Sequence, residues 1–203
     1  MSELSRKERE LIQRKKTIMD VALSLFAEKG YHQTSMNTIA QKAEFSVGTL
    51  YNFFINKEEL YKAMVNEKAA EFYEILMSVL GSEGSPEEII KKWVDAKIQL
   101  YTENRQFFSI FFVESMKINI SLRAALTKEI RDLHNEIRKR LTGVFKKGIE
   151  QGVFEHHDPW LLALAIDGMV NSIVVSIVEH PDSLEIASDD ILDIFYSRIR
   201  LMK

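Results

Sequence analysis

Apolar side chains recur three and four residues apart along nearly the whole chain, which is the spacing of helices that bury one face. Ile18, Val21, Ala22, Leu25 and Phe26 mark a first helix. Tyr61, Val65, Ala69, Phe72, Leu76 and Val79 mark a long one over 57–80, with no internal breaker. After the linker Gly81–Pro86, Ile89, Trp93, Val94 and Leu100 define a helix reaching Glu103. Ser85, Pro86 and Glu88 supply its capping box and first-turn proline. Further helices are predicted over 105–118, 122–151, 159–179 and 188–202. Alternating β-branched runs are absent, and Gly (8) and Pro (3) are scarce, so the fold class is all-α, with about nine helices.

The stretch Ser35–Phe54 reads differently, as two short helices joined by a tight turn. Ile39, Ala40 and Ala43 give the first an apolar face. Leu50, Phe53 and Phe54 do so for the second, and Phe45 fills the corner. Ala40 is small enough for a steep crossing. This is the layout of a helix-turn-helix, whose second helix enters the DNA major groove; an ordinary αα-corner in a helical core shares it. Gly30 can end the preceding helix in a left-handed conformation. Thr34 or Ser35 can cap the next, and Asn56 the one after the motif.

Several spaced pieces agree with one known family. They are A-x-x-L-F at Ala22–Phe26, G-Y at Gly30-Tyr31, T-S-M at Thr34–Met36, I-A at Ile39-Ala40, S-V-G-T-L-Y at Ser46–Tyr51, Phe54, and N-K-E-x-L at Asn56–Leu60. The run from about Lys16 to Leu60 resembles the N-terminal DNA-binding domain of the TetR family of bacterial transcriptional regulators. The resemblance implies a three-helix DNA-binding domain over 1–57 and a helical effector-binding and dimerisation domain over 58–203. It also implies that a ligand in the second domain shifts the helix over 57–80 and alters the spacing of two DNA-reading heads. The family usually has Gly where Glu44 stands, so this chain must either accept a strained backbone or reshape the turn.

Charge supports that division without establishing it. The net charge is −3, yet residues 1–57 hold nine Lys/Arg against six Asp/Glu. A basic head on an acidic body suits a small DNA-reading module. The basic stretch over 1–16 is either an arm near phosphates or a solvated, frayed helix start. Expected DNA contacts divide by chemistry. Thr34 and Ser35 lie at a helix N-terminus that favours an anion. Tyr51 and Lys57 match family positions that touch phosphates. Ser46, Val47, Gly48, Thr49, Asn52 and Phe53 belong to the reading helix: Thr49 and Asn52 for base edges, Val47 and Phe53 for thymine methyls, Gly48 for close approach. Core packing is the competing role for Phe53.

The body shows helix positions but no diagnostic motif. The helix over 105–118 is rich in rings, with Phe107, Phe108, Phe111 and Phe112 followed by Met116. Phe72, Trp93, Phe107, Phe111, Met116, Met169 and Ile173 are candidates to line an effector cavity, with Asp167 and Asn171 as polar anchors or interface hydrogen-bonders. Such a lining favours a small apolar or aromatic effector. The helix over 159–179 is apolar nearly all round. It needs two covers, its own core and a second copy of the chain. Gly168, Ser172 and Ser176, with Ile191 and Phe195 from the last helix, are expected at that dimer interface. A dimer would present two reading helices about 34–36 Å apart to a palindromic double-stranded site.

Other classes find less support. There is no cysteine, hence no disulfide or thiolate site. No nucleophile elbow, phosphate loop or paired-acid signature suggests an enzyme. His156, His157 and Asp158 suit a loop and a helix cap better than a metal, so neither metal nor cofactor is expected. The N-terminus lacks an apolar leader, and Asp167 and Asn171 interrupt the only long apolar run, so the expectation is a cytoplasmic protein outside the membrane. A helical ligand- or protein-binding dimer without DNA binding is the alternative function.

Overall fold

The computed structural model describes residues 5–115, 120–180 and 187–197. Nine helices occur among them: α1 (Arg6–Lys29), α2 (Met36–Lys42), α3 (Val47–Phe53), α4 (Lys57–Leu80), α5 (Pro86–Glu103), α6 (Arg105–Ser115), α7 (Ile120–Glu150), α8 (Pro159–Glu179) and α9 (Ser188–Tyr196). Local chemistry fixes most of their starts. Ser5 and Glu8 form a capping box for α1, and Ser85 and Glu88 form one for α5. Asp158 accepts from the Trp160 and Leu161 N–H groups and Pro159 opens α8, as its sequence predicts. The arm before Thr17 is therefore helical from Arg6 onward, and it is solvent-exposed.

The chain falls into two compact units. One comprises residues 1–68 and 106–127, the other 69–105 and 128–203. The expected boundary after 57 lies inside the first of these, because α4 runs unbroken through that point and α6 groups with the N-terminal segment.

In the first unit α1 packs on α2, and α2 on α3. Ile18, Ala22, Leu25, Phe26, Ile39, Ala40 and Leu50 are all buried, and Ala40 has no exposed surface. The α2–α3 turn closes as a Schellman motif: Phe45 N–H donates to the Ala40 carbonyl (2.9 Å) and Glu44 N–H to the Gln41 carbonyl (3.2 Å). Glu44 takes φ of 60°, the strained alternative of the two expected for it. Gly30 sits at φ 83° and ψ 155°, a region open essentially to glycine alone.

In the second unit α5, α8 and α9 pack on one another. Trp93, Val94, Leu141, Phe145, Phe154, Ile166 and Val170 form the centre of its core. The end of α7 repeats the Schellman turn with Gly152 at φ 67°, and Phe154 folds back over Gly148. A Cβ at Gly148 would lie 2.4 Å from the Phe154 ring. α8 is long and apolar enough to cross a bilayer, yet its Leu162, Ala163, Ile166, Val170 and Val174 belong to this core.

Two substitutions test these turns by urea denaturation. Glu44→Gly relieves a left-handed L-residue and is expected to raise stability by about 0.5–1 kcal/mol. Gly148→Ala forces Phe154 aside and is expected to lower it by about 1–3 kcal/mol.

Candidate DNA-reading face and buried charge cluster

α3 is only seven residues long, so its orientation comes from its ends and one buried anchor. Ser46 caps it, accepting from Thr49 N–H (3.1 Å), while its hydroxyl meets the Thr49 hydroxyl at 2.8 Å. Leu50 is fully buried on the inner side. Val47, Gly48, Tyr51 and Asn52 are exposed on the outer side, one row at i, i+1, i+4 and i+5. Nothing but the Ser46 hydroxyl lies within 4 Å of where a Gly48 Cβ would be. Thr49 and Phe53 are half-buried, so Phe53 serves both the surface and the packing, its ring 6.5 Å from that of Phe54.

Beside this row lies an open recess of about 360 Å³, lined by His32, Gln33, Thr34, Ser35, Met36, Asn37, Tyr51 and Lys57. Ser35 is exposed and caps α2 through Thr38 N–H at 3.1 Å. Thr34 departs from its expected role. Its side chain is 1% exposed and its hydroxyl donates to the Gly30 carbonyl (2.9 Å) and approaches that of Leu25 (3.3 Å). The hydroxyl closes the α1–α2 corner and does not face outward. Lys57 also has structural work. Its ammonium donates to the carbonyls of Tyr31 (2.6 Å) and Thr34 (2.7 Å) and lies 4.3 Å over the Tyr31 ring. It ties the corner to the start of α4 while leaving a positive charge at the recess. Tyr31, Phe26 and Tyr61 form a buried ring cluster beneath it. His32, Gln33 and Asn37 join the recess beyond the residues expected from sequence; their spacing around the Ser35 cap is the signal that places them on the same side.

The second unit holds an unexpected charge cluster. Asp167 on α8 is buried, with one carboxylate oxygen accepting from Lys97 of α5 and the other from Arg138 Nε of α7 (2.8 Å). Burial pushes the Asp167 carboxyl upward and is the largest single influence, but Lys97 and Arg138 together outweigh it and hold it below the ordinary range. Burial lowers Lys97, against the attraction of Asp167. Burial, with the charge of Asp167, pushes the Tyr101 phenol up to about 12. Asp167 is therefore not a free anchor for an effector or a partner, since both oxygens are engaged within its own unit. Lys97 carried no role in the sequence reading; its place one turn from Trp93 and one from Tyr101 was the available signal.

The remaining effector candidates lie in both units. Trp93 is fully buried, and Phe72, Met169, Asn171 and Ile173 are half-buried in the second. Phe107 (buried) and Phe111 (half-buried) belong to the first, stacked at 6.0 Å. Met116 lies outside the described residues. Of the expected interface residues, Gly168 and Ser172 are exposed and Ser176 is half-buried. Ile191 and Phe195 are not available to a partner: α9 turns them into its own core, where Phe195 meets the Phe145 ring at 5.9 Å. Among the described residues of these two helices, the exposed large apolar side chains are instead Trp160, Leu161 and Leu164 on α8 and Ile194 on α9.

Residues 18–64 match the family described as bacterial regulatory proteins, tetR family, and residues 83–175 match the tetracyclin repressor-like C-terminal domain. The chain belongs to the TetR family. It is 25% identical over 185 residues to the fatty acid metabolism regulator protein of Bacillus subtilis, covering 90% of this chain and 93% of that protein. Identity to the HTH-type transcriptional regulator LuxR of Vibrio harveyi is 27% over 165 residues, 81% of this chain and 78% of that one. The fold matches FadR from Bacillus subtilis in complex with stearoyl-CoA (TM-score 0.73, 24% identity, 90% and 97% covered) and FadR from Bacillus halodurans (TM-score 0.73, 22% identity, 96% and 95% covered). TetR-family chains are DNA-binding transcriptional regulators, and this function holds for the protein at that level.

Two outcomes test the cluster. Asp167→Ala would leave Lys97 and Arg138 facing each other in the interior and is expected to cost about 3–5 kcal/mol in urea denaturation. His134, on α7, is held below the usual histidine pKa by burial first and by the charge of Lys97 next, with Asp167 opposing and Arg138 adding to the depression. Its unfolded form takes up a proton first, so stability is lost as pH falls below about 6.5. Urea midpoints of His134→Gln are expected to show a shallower loss over that window.

Proposed function

We propose that the protein is a homodimeric transcriptional repressor that binds a palindromic double-stranded operator and changes its DNA affinity when a small apolar effector binds in the second unit. The row Val47, Gly48, Tyr51 and Asn52 on capped α3 carries this reading. It offers amide, hydroxyl and apolar groups without a long cation, so base choice rests on Asn52, on Val47 against thymine methyls, and on DNA shape. Lys57 and the exposed basic residues Arg6, Lys7, Arg9, Arg14, Lys15 and Lys16 of α1 supply the phosphate-facing charge.

The exposed α8 stripe Leu161, Leu164, Gly168 and Ser172, with Ile194 of α9, is apolar and small-residue-rich, the character of a helical face covered by a second copy. The half-buried apolar side chains of the second unit, and the stearoyl-CoA held by one structural relative, favour an effector with a substantial apolar portion. A coupling of about 1–3 kcal/mol between effector and DNA would change DNA affinity roughly 5–150-fold. The protein is proposed to act in the cytoplasm and to have no catalytic role.

Fluorescence anisotropy on a selected duplex tests the DNA face. Tyr51→Ala is expected to weaken binding to all sequences alike, whereas Asn52→Ala is expected to change which sequences are preferred. Removing three of the α1 cations is expected to flatten the salt dependence of log K by about two to three. Equal behaviour of Tyr51→Ala, Asn52→Ala and the unaltered protein would contradict the assignment.

A further inference from the structure

Trp93, Lys97 and Tyr101 lie one turn apart along α5, so they share a face, and the first two are buried there. Lys97 Nζ has one oxygen acceptor, Asp167, and otherwise lies 4.8 Å over the Trp93 ring. An ammonium has three N–H groups, so two lack an oxygen. The Trp93 Nε1–H is buried and has no acceptor either. Asp167 already accepts from both cations, Lys97 on one oxygen and Arg138 on the other. Interiors satisfy roughly 90% or more of their polar groups. Here one buried donor, the Trp93 indole N–H, goes unserved on the same helix face as an ammonium with a single oxygen acceptor, and two cations share one carboxylate.

A water would accept one or two of these hydrogens but would add two donors of its own. An anion adds none and cancels the surplus charge. His134, one turn from Arg138 on α7, is solvent-exposed. Arg138 itself is partly exposed, at 24%, so the cluster is not sealed.

We propose that Lys97, the Trp93 indole N–H and Arg138 bind the anionic head group, a carboxylate or phosphate, of an amphipathic effector. Half-buried Met169 and Ile173, packed against the core of the same unit, are the apolar side chains assigned to its tail. Asp167 is a positioning residue that holds the two cations apart. The inference rests on the reading of the second unit as an effector domain.

Thermal shift and operator release would be measured on the full chain with unbranched carboxylates from octanoate to palmitate, the matching alkyl phosphates, and the matching neutral alcohols. At least one anion series is expected to stabilise the protein and release DNA at concentrations about tenfold or more below those of its alcohols. Which anion series does so identifies the head group. Lys97→Met leaves the Asp167–Arg138 pair intact and is expected to remove that preference while the alcohols' effect stays unchanged. Trp93→Phe keeps the ring, removes the N–H, and is expected to weaken the anions alone. Alcohols as effective as anions, or a preference that survives in both variants, would overturn the head-group assignment and leave the effector-domain reading standing. No response to any amphiphile would overturn both.

Discussion

Two seven-residue helices are too short to hold themselves, and everything proposed for the first unit depends on how they are held. An isolated helix of this length is unstable in water because nucleation costs more than so few hydrogen bonds return. α2 and α3 persist because each has a serine cap, because Ala40 lets them cross closely, and because a Schellman turn joins them. Lys57 fastens the corner before α2 to the start of α4 through two carbonyls. The outer row of α3 is then free to be chemically varied, since none of its members anchors the fold. Glu44 shows the order of priorities. The turn's hydrogen bonds are kept and the residue accepts the strained backbone, so a non-glycine at this position removes stability without removing the motif.

The second unit meets an opposite problem. Its core contains a carboxylate and an ammonium that an apolar pair of the same volume would replace at little cost or some gain. Asp167 also interrupts the one helix that is otherwise apolar all round. Stability alone gives no reason for this arrangement. A charge cluster beside an unpartnered indole N–H is a reason of another kind, because it creates a place in the interior where an oxygen anion is more welcome than water.

Much of the architecture was legible in the sequence. The bounds of α4 and α8, and the start of α5, follow from caps and prolines that act over three or four residues. The outward row of α3 followed from Leu50 pointing in. What was not legible depended on distance. Lys57 carries the right residue type for phosphate contact, but the carbonyls that engage it lie 26 and 23 residues back; Thr34 spends its hydroxyl on Gly30, four residues back, and on Leu25, nine back, and residue type alone does not tell that from an outward role. Lys97 looked like an ordinary polar position until α7 and α8 brought Arg138 and Asp167 to it. On α9, Ile191, Ile194 and Phe195 all fit one helix. Periodicity cannot say which apolar stripe meets the chain's own core and which stays outside, and the structure turns only Ile194 outward.

Exposed α3 rows from two copies are proposed to read two grooves of one duplex. The most direct measurement is selection from a random duplex library followed by the protein-to-duplex stoichiometry of the selected complex. A two-fold symmetric sequence is expected, its half-sites spaced so that two major grooves face one side, bound by an even number of chains. A lone asymmetric half-site bound by one chain, or no enrichment over random duplex, would contradict it.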